Sequence, residues 1–437
     1  MNEGQKGNLP ILAVSFCHMD RSRSIPFLLF LLLLRAGLSG QPAMEVDWHE
    51  EIGVLGRELA RRHPDLFFQT DSVQFYRALD QVADHAGGKT PLGIAVELQQ
   101  VLAGMGDAHT RVNYHYYIHK EYILPVECFW FEEGIHVIRA REGYEQLLGK
   151  RITAINGTPV EQVIDSLASL ITGRNPSLVK HHVPTMLTWA ELLEHFGFCR
   201  SDRLEISLED MQGNTSSNEI TLPARNSEMV AVKTDSLPMG WVDRKSLFRE
   251  VYLPDERLYY IQYNKCWSRE AEKLFGSGAS ALFLPSFREF EKKVLETIRK
   301  EEVEKLVFDL RFNGGGNSVQ GTRFIRKIKK TGIGTRARVY LIVGRGTFSS
   351  AIINAVEIME AFDVLVLGEN TGGKPNHFGE VRRFVLPESK MVVSHATKYF
   401  TLLEDDPPAI IPDIHTPDTF GSFMKGIDPS LEAAREH

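Results

Sequence analysis

The stretches KLVFDLRFNGGGNS (305–318) and VYLIVGRGTFSSA (339–351) decide the fold of this 437-residue chain. Each opens with a short run of β-favouring apolar residues and continues into a glycine-bearing loop. The first loop offers backbone N–H groups at Gly314–Gly316, and the second brings the pair Ser349–Ser350 to the start of a predicted helix. A serine beside backbone N–H donors is what acyl transfer requires, because the serine attacks a carbonyl group and the donors stabilise the oxyanion.

Strand-like and helix-like segments alternate on both sides of these loops. A strand is predicted near Leu258–Ile261, followed by a helix with Ser286 as N-cap and Glu289 three residues later. The pattern then predicts strands at 306–310, 339–343 and 364–367, with helices near 319–329 and 349–361. Such alternation indicates a mostly parallel α/β layer structure over residues 227–437. Residues 227–256 are interpreted as the connection into it.

Three amphipathic helical patterns precede this region. Pro64 ends the first, Gly87–Gly88 close the second, and the third runs from Thr90 to Gly104. They predict a small helical domain at 44–115.

The segment 116–226 is richer in short strands. Residues 129–131 and 135–138 flank Glu132–Gly134 as a hairpin would. The run from Gly149 to Val160 reads as a strand and an Asn-Gly turn leading into a helix, and it resembles a PDZ domain. PDZ domains bind extended peptides by adding a strand to a sheet.

Composition excludes several classes of protein. The net charge of −7 argues against a nucleic-acid binder, which normally carries a basic excess. The four cysteines are Cys17, Cys128, Cys199 and Cys266; they form no CxxC pair, and His181–His182 are poorly spaced for a shared metal. The sequence therefore predicts no metal and no cofactor.

The N-terminal segment resembles a secretory leader. Residues 25–34 read IPFLLFLLLL, with Arg21 and Arg23 before them and small residues at 36–40 after them. An apolar run of this length is too short to span a bilayer, which takes roughly 20 residues. We therefore expect residues 1–43 to be a leader, no integral membrane span, and export to the periplasm or outside the cell. The alternative is a cytoplasmic protein that starts at Met44.

Three motifs identify a family resemblance: DLRFNGGG (309–316), TFSSA (347–351) and GENTGGKP (368–375). In this order they resemble the tail-specific, or C-terminal processing, serine peptidases, which include the tricorn core peptidase. The resemblance implies a crotonase-like (ClpP/crotonase) catalytic domain preceded by helical and PDZ-like domains. It also implies a serine endopeptidase that acts on protein or peptide substrates.

The resemblance implies roles for particular residues. Ser349 corresponds to the nucleophile, and the N–H groups of Gly315 and Ser350 correspond to the oxyanion donors. A helix start suits a developing anion because its free N–H groups carry partial positive charge. The alternative is that Ser349 or Ser350 is only a helix cap. Asp309 and Arg311 are predicted to hold the glycine loop.

Two residues compete for the role of general base. Lys374 lies 25 positions after Ser349, as in the lysine-dyad branch, and would need burial to lower its pKa. It is followed by Pro375 where that branch has glycine. His109, in the stretch Asp107–Thr110, resembles the base of the tricorn branch. Lys374 is ranked ahead of His109, and His377 and Glu380 are lesser candidates.

Two other functions remain open. Retinoid-binding relatives show that the same scaffold can carry a ligand without catalysis. Acyl-CoA enzymes of the crotonase type share the core layout and the backbone oxyanion hole, but they need no serine at the helix start.

Overall fold

The computed structural model describes residues 46–437. The predicted leader, residues 1–43, lies outside the described residues. Within 46–437 no helix is long and apolar enough to cross a membrane.

Three helices open the described chain, as the sequence predicted: α1 (Trp48–Arg62), α2 (Ser72–Asp84) and α3 (Pro91–Ala103). Asp71 caps α2 by accepting hydrogen bonds from two backbone N–H groups of the first turn. Thr90 caps α3 by accepting one hydrogen bond, from the Gly93 N–H, with Pro91 as the first helical residue. The apolar faces of the three helices share one buried cluster. A two-residue strand, β1 (Arg111–Val112), follows.

The middle of the chain forms an antiparallel sheet with three helices beside it. Its elements are β2 (Val126–Phe131), β3 (Gly134–Arg141), β4 (Arg151–Ile155), β5 (Thr158–Pro159), α4 (Val160–Ala168), α5 (Pro176–Met186), α6 (Ala190–His195), β6 (Arg203–Glu209), β7 (Thr215–Thr221) and β8 (Met229–Ala231). The spatial order is β2-β3-β4-β6-β7, with β5 beside β4 and β8 beside β3.

The predicted hairpin and the strand–turn–helix unit of this middle region are both present as β2–β3 and β4–α4. Helices α5 and α6 were not predicted. Strand β8 belongs to this sheet, although the sequence placed it in the connection that starts at residue 227.

The C-terminal half is an α/β structure, which confirms the predicted layer type. Its elements are β9 (Phe248–Leu253), β10 (Leu258–Tyr263), α7 (Arg269–Phe275), α8 (Phe287–Lys300), β11 (Lys305–Asp309), α9 (Ser318–Lys329), β12 (Arg338–Val343), α10 (Ser350–Ala361), β13 (Val364–Gly368), β14 (His377–Gly379), β15 (Arg382–Val385), β16 (Val392–His395), β17 (Lys398–Phe400), β18 (Ile414–His415), α11 (Phe420–Met424) and α12 (Pro429–Glu436). Six strands form one sheet in the order β18-β13-β12-β11-β10-β9, and all neighbours are parallel except β9 and β10.

Both faces of this sheet are buried. Val294 of α8, Phe324 of α9 and Ile352 of α10 pack on one face, and Leu431 of α12 packs on the other. Each such buried side chain contributes about 1.5–3 kcal/mol of hydrophobic stabilisation. Because β11 and β12 are parallel neighbours, the glycine loop after β11 and the serine loop after β12 leave the same edge of the sheet.

The predicted C-terminal hairpin is present as β15 and β16, and it reaches back to the N-terminal helices. Strand β16 pairs with β1, with Arg111 opposite Ser394. Leu386, Met391 and Val393 complete the apolar cluster of α1–α3. The segment that follows α3 is therefore fixed in position by residues close to the other end of the chain.

Arg311 ties the glycine loop to the last helix. Its buried guanidinium binds Asp309, with Nε 2.9 Å from Oδ2, and reaches both carboxylate oxygens of Asp428 at 2.9 and 3.1 Å. Asp428 is also the N-cap of α12. These contacts fit the structural role that the sequence assigned to Asp309 and Arg311.

Candidate active site

Ser349 has an unusual backbone conformation, with φ 57° and ψ −127°, at the junction between the serine loop and α10. A residue with a Cβ rarely adopts positive φ, and this backbone conformation costs on the order of 1–3 kcal/mol. Although Ser349 occupies the N-cap position, its side chain makes no capping hydrogen bond. The hydroxyl instead points into a cavity, as in the strained strand-to-helix turns that present a nucleophilic serine.

The loop before Ser349 is held by Thr347. Its hydroxyl donates to the Leu310 carbonyl at 2.8 Å and accepts from the Gly344 N–H at 3.0 Å. The Phe348 N–H donates to the Asn313 carbonyl at 3.0 Å. The serine loop is thus fixed directly to the glycine loop, and these bonds maintain the strained backbone.

His109 lies beside Ser349, with its Nε2 2.9 Å from Ser349 Oγ. The imidazole stacks on Phe348 (centroids 4.7 Å apart) and on His377 (5.7 Å). Because Nε2 must be unprotonated to accept the hydroxyl proton, the N–H of the neutral ring belongs on Nδ1. Burial lowers the pKa of His109, and a backbone hydrogen bond with Phe378 opposes that lowering, the sign expected when an imidazole N–H donates to a carbonyl.

Burial lowers the pKa of His109 against the opposing effect of the nearby Asp107 carboxylate, and with the smaller contributions of His377 and Arg111 the pKa is about 4. The imidazole is therefore neutral at pH 7 and can accept a proton.

Asp107 holds the segment that carries His109. One carboxylate oxygen accepts the His109 backbone N–H at 2.9 Å and lies 3.8 Å from its Nδ1. The other accepts the Thr110 hydroxyl at 2.6 Å and lies 3.2 Å from Nε2 of the buried His63. Burial raises the pKa of Asp107, but these hydrogen bonds and charges outweigh it, so the pKa is lowered overall. Asp107 is thus a charged anchor for His109.

The glycine loop packs closely against the serine turn. A Cβ built on Gly315, which has φ 89°, would lie only 2.8 Å from Ser349 Cβ and from the Phe348 carbonyl oxygen. Only glycine fits there. The Ser350 hydroxyl adds a hydrogen bond to the Gly316 carbonyl at 2.8 Å.

The backbone donors near Ser349 differ from the predicted pair in one respect. The Gly315 N–H donates to Asn313 Oδ1 at 2.9 Å, so it is engaged in this structure. The N–H groups of Gly314 and Ser350 have no acceptor within residues 46–437. Gly314 also lines the cavity with Ser349. The N–H groups of Ser350 and Gly314 are accordingly free to bind an acceptor.

Lys374, which was ranked first as base, is not brought to Ser349. Its Nζ lies 2.8 Å from Asp406 Oδ2, and its side chain is 39% exposed. The neighbouring Asn376 explains this placement, because its side chain makes four hydrogen bonds to backbone groups of Leu402, Leu403 and Asp405. The loop therefore faces the 402–406 segment, and in this geometry His109 rather than Lys374 lies within hydrogen-bond reach of Ser349.

Of the two lesser candidates for the base, only His377 lies beside His109. His377 stacks on His109, and burial lowers its pKa. Glu380 is exposed and makes no contact with Ser349. Sequence reasoning quoted Asp107 without giving it a role, and it missed His63 and Arg345. The position of Asp107 two residues before His109 could have identified it as part of the site. No sequence pattern pointed to His63 or Arg345.

A cavity of about 850 Å³ opens beside Ser349 and His109. Helix α5 contributes His181 and His182, whose pKa values burial lowers to about 3 and about 4. Within residues 46–437 no cluster of metal-binding side chains is present.

No protein-family model and no curated protein matches this sequence. Among solved structures, mature CPAF complexed with lactacystin matches with a TM-score of 0.57 at 12% identity, over 89% of this chain and 97% of that one. Mature CPAF alone gives a TM-score of 0.55 at 12% identity, over 89% and 95% of the two chains. The photosystem II D1 C-terminal processing protease gives 0.41 at 14% identity, over 90% and 97%. The likeness to CPAF shows a shared fold over almost the whole described chain.

Proposed function

We propose that this chain is a serine peptidase of the tail-specific family, with Ser349 as nucleophile and His109 as general base. One observation carries the proposal: Ser349 Oγ and His109 Nε2 lie 2.9 Å apart at a strained, cavity-facing turn. Hydrogen-bond reach between a serine and a neutral histidine is the geometry of an activated nucleophile. The fold shared with CPAF and the motifs at 309–316, 347–351 and 368–375 support the same family.

In the proposed reaction, the Ser349 oxygen attacks the carbonyl carbon of a peptide bond while its proton passes to His109 Nε2. The negative charge that forms on the carbonyl oxygen is met by the N–H groups of Ser350 and Gly314. The tetrahedral intermediate collapses to an acyl-enzyme, and His109 gives its proton to the leaving amine. Water then attacks the ester with His109 again as base, which releases the acid and restores Ser349.

Asp107 is proposed to orient the base. Its carboxylate holds the His109 main chain and places a negative charge near the ring, which stabilises the imidazolium that forms during the reaction. His63 and Thr110 keep the carboxylate in place.

The finer domain descriptions belong to the same proposal. The parallel sheet with helices and its adjacent strand-end loops support a crotonase-like catalytic domain, and the antiparallel middle sheet with α4 supports a PDZ-like module that captures peptides. Protein or peptide substrates follow from the chemistry. The leader pattern at 1–43 supports export.

The competing function is an inactive ligand-binding protein on the same scaffold, for which the cavity provides room. The test is hydrolysis of labelled casein, an unfolded protein, together with covalent labelling by a fluorophosphonate probe. We expect the native chain to cleave casein and to be labelled, and Ser349→Ala to lose both. Lys374→Ala is the matched control and should retain both. The peptidase proposal is overturned if the native chain shows no cleavage and no labelling. It is also overturned if Ser349→Ala cleaves casein as well as the native chain does.

A further inference from the structure

Arg345 lies in the serine loop, four residues before Ser349, and lines the same cavity. Its backbone is part of the tight turn closed by the hydrogen bond from the Thr347 N–H to the Gly344 carbonyl at 2.8 Å. Gly372 packs so closely on this turn that a Cβ there would meet the Arg345 carbonyl oxygen at 2.4 Å. The guanidinium is therefore held by the same rigid loop that positions Ser349.

The Arg345 side chain is only 8% exposed, yet one of its nitrogens is unpaired. Nε lies 3.2 Å from Glu369 Oε2, and the guanidinium carbon lies 4.7 Å from the centroid of the Phe129 ring. Nη1 has no hydrogen-bond partner within residues 46–437. A buried guanidinium nitrogen without a partner is costly, and it marks a place where an acceptor is missing.

The cavity is positive although the chain as a whole carries a net charge of −7. Seven arginine and lysine side chains line it, against three carboxylates. Arg345, Arg244 and Lys265, which all line the cavity, also act electrostatically on His181 of the same lining. The carboxylates that face Arg345 are Glu369, which it binds, and Asp418, whose pKa burial raises to about 6.

Some of these cations have no acidic partner in the described part of the chain. Arg244 is paired with Glu127, but no ion pair is formed by Arg111, Lys245 or Lys265 within residues 46–437. Lys265 is exposed, and its Nζ lies 3.8 Å from the position of a Cβ built on Gly314, one of the two available oxyanion donors. A lysine beside the reacting carbonyl and an unpaired arginine nitrogen in the same cavity together suit an anionic group of the substrate.

We propose that this cavity selects peptides that carry a carboxylate, which Arg345 binds through Nη1 with Lys265 as the second cation. The inference rests on the proposed peptidase function and names its substrate class. The carboxylate is that of an acidic side chain of the peptide. A fixed guanidinium recognises a carboxylate with directed hydrogen bonds, whereas an amide of the same shape leaves the cations unmatched.

The test measures binding rather than cleavage, so it does not depend on the catalytic step. Ser349→Ala protein is titrated into four rhodamine-labelled peptides that are otherwise identical. They carry either Glu or Gln at the same positions, and each form has either a free or an amidated C-terminus. Fluorescence anisotropy gives the four dissociation constants. We expect Glu in place of Gln to tighten binding about tenfold, whether the C-terminus is free or amidated. An effect of the free C-terminus alone would overturn the assignment to an acidic side chain.

Variants in the Ser349→Ala background assign the effect to residues. Arg345→Gln should reduce the preference to less than about threefold, and Arg345→Lys should leave an intermediate preference because it keeps the charge without the planar fork. Lys265→Gln, at an exposed position where folding is not at risk, should reduce it about twofold to threefold. Lys292→Gln removes one positive charge from the outer face of α8 and is the matched control, with no change expected.

The inference fails if Glu does not tighten binding relative to Gln, or if the full preference of the Ser349→Ala protein survives in Arg345→Gln or in Arg345→Lys. Circular dichroism checks that each variant is folded. If Arg345→Gln is not folded, the reduced preferences expected of Arg345→Lys and Lys265→Gln provide the test. Failure of the peptidase proposal has a different signature, namely no cleavage and no fluorophosphonate labelling by the native chain.

Discussion

The Nε2 atom of His109 lies 2.9 Å from the hydroxyl oxygen of Ser349, although 240 positions separate the two residues in the chain. His109 follows the last N-terminal helix, and Ser349 precedes a helix of the α/β half. The two meet because β1 pairs with the C-terminal hairpin strand β16. The pair therefore forms only when both ends of the described chain are folded together, and activity reports on the whole tertiary structure.

Ser349→Gly should stabilise the protein relative to Ser349→Ala. Both changes remove the hydroxyl, but only glycine also removes the Cβ that disfavours φ 57°. We expect the glycine variant to be more stable by about 1 kcal/mol, measured by urea unfolding, while both lack peptidase activity. If the alanine variant is the more stable of the two, the turn is not strained.

His109→Ala should lower kcat/KM on a peptide substrate by about 100-fold to 10,000-fold, because a positioned general base contributes that much. Lys374→Ala should change kcat/KM less than about threefold, since its partner Asp406 lies away from Ser349. Steady-state kinetics on both variants decides between the two bases. A large loss in Lys374→Ala with little loss in His109→Ala would contradict the geometry.

The pH dependence of kcat/KM should have its acidic midpoint near pH 4. His109 must be neutral to accept the proton, and burial has lowered its pKa to about 4, so activity rises as the pH increases through that value. A reference histidine would place the midpoint near 6.5. The Asp107 carboxylate raises the pKa of His109, so Asp107→Asn should move the midpoint to lower pH. A midpoint near 6.5 in the native chain would show that the imidazole is solvated.

Stability should decrease as the pH falls from about 6.5 to 4. Burial lowers the pKa values of His109 and His182 to about 4 and of His181 to about 3. Between these values and 6.5 the unfolded chain binds more protons than the folded one, so protonation favours unfolding. Each group contributes on the order of 3 kcal/mol across its window. His182→Gln should make the free energy of unfolding, measured by chemical denaturation, depend less on pH. An unchanged dependence would show that His182 does not contribute to it.

Arg311→Met should destabilise the protein by about 3–5 kcal/mol, because it leaves the carboxylates of Asp309 and Asp428 buried without their cation. The measurement is the midpoint of thermal unfolding. Arg257→Met, which removes an exposed ion pair with Glu304, is the control and should cost less than about 1 kcal/mol. Equal effects of the two changes would mean that Asp309 and Asp428 are solvated.

Local patterns were enough to predict much of the fold and half of the candidate site. Apolar runs ending in glycine gave β11 and β12, and the Ser286 and Thr90 caps placed two helix starts to the residue. Since neighbouring parallel strands end at one edge, the proximity of the glycine loop and Ser349 also followed.

Such reasoning named Lys374 and His109 as candidate bases, but it could not predict which of the two lies beside Ser349. A separation of 25 residues along the chain fixes neither the direction of the Lys374 side chain nor its burial, and the hydrogen bonds of Asn376 turn that loop toward residues 402–406. His109 depends on pairing between segments almost 300 residues apart. Arg345 gave no pattern at all, since its importance comes from one unpaired nitrogen in a folded cavity.

The bond between Arg311 and Asp428 has a consequence for the order in which the protein matures. The glycine loop is synthesised 117 residues before the carboxylate that clamps its arginine. Until Asp428 has left the ribosome, Arg311 has only Asp309 as a partner, and the wall of the cavity lacks its final support. The Ser349 turn is therefore synthesised before the contact that completes the support of the cavity wall, so the last residues of the chain are needed to finish the site.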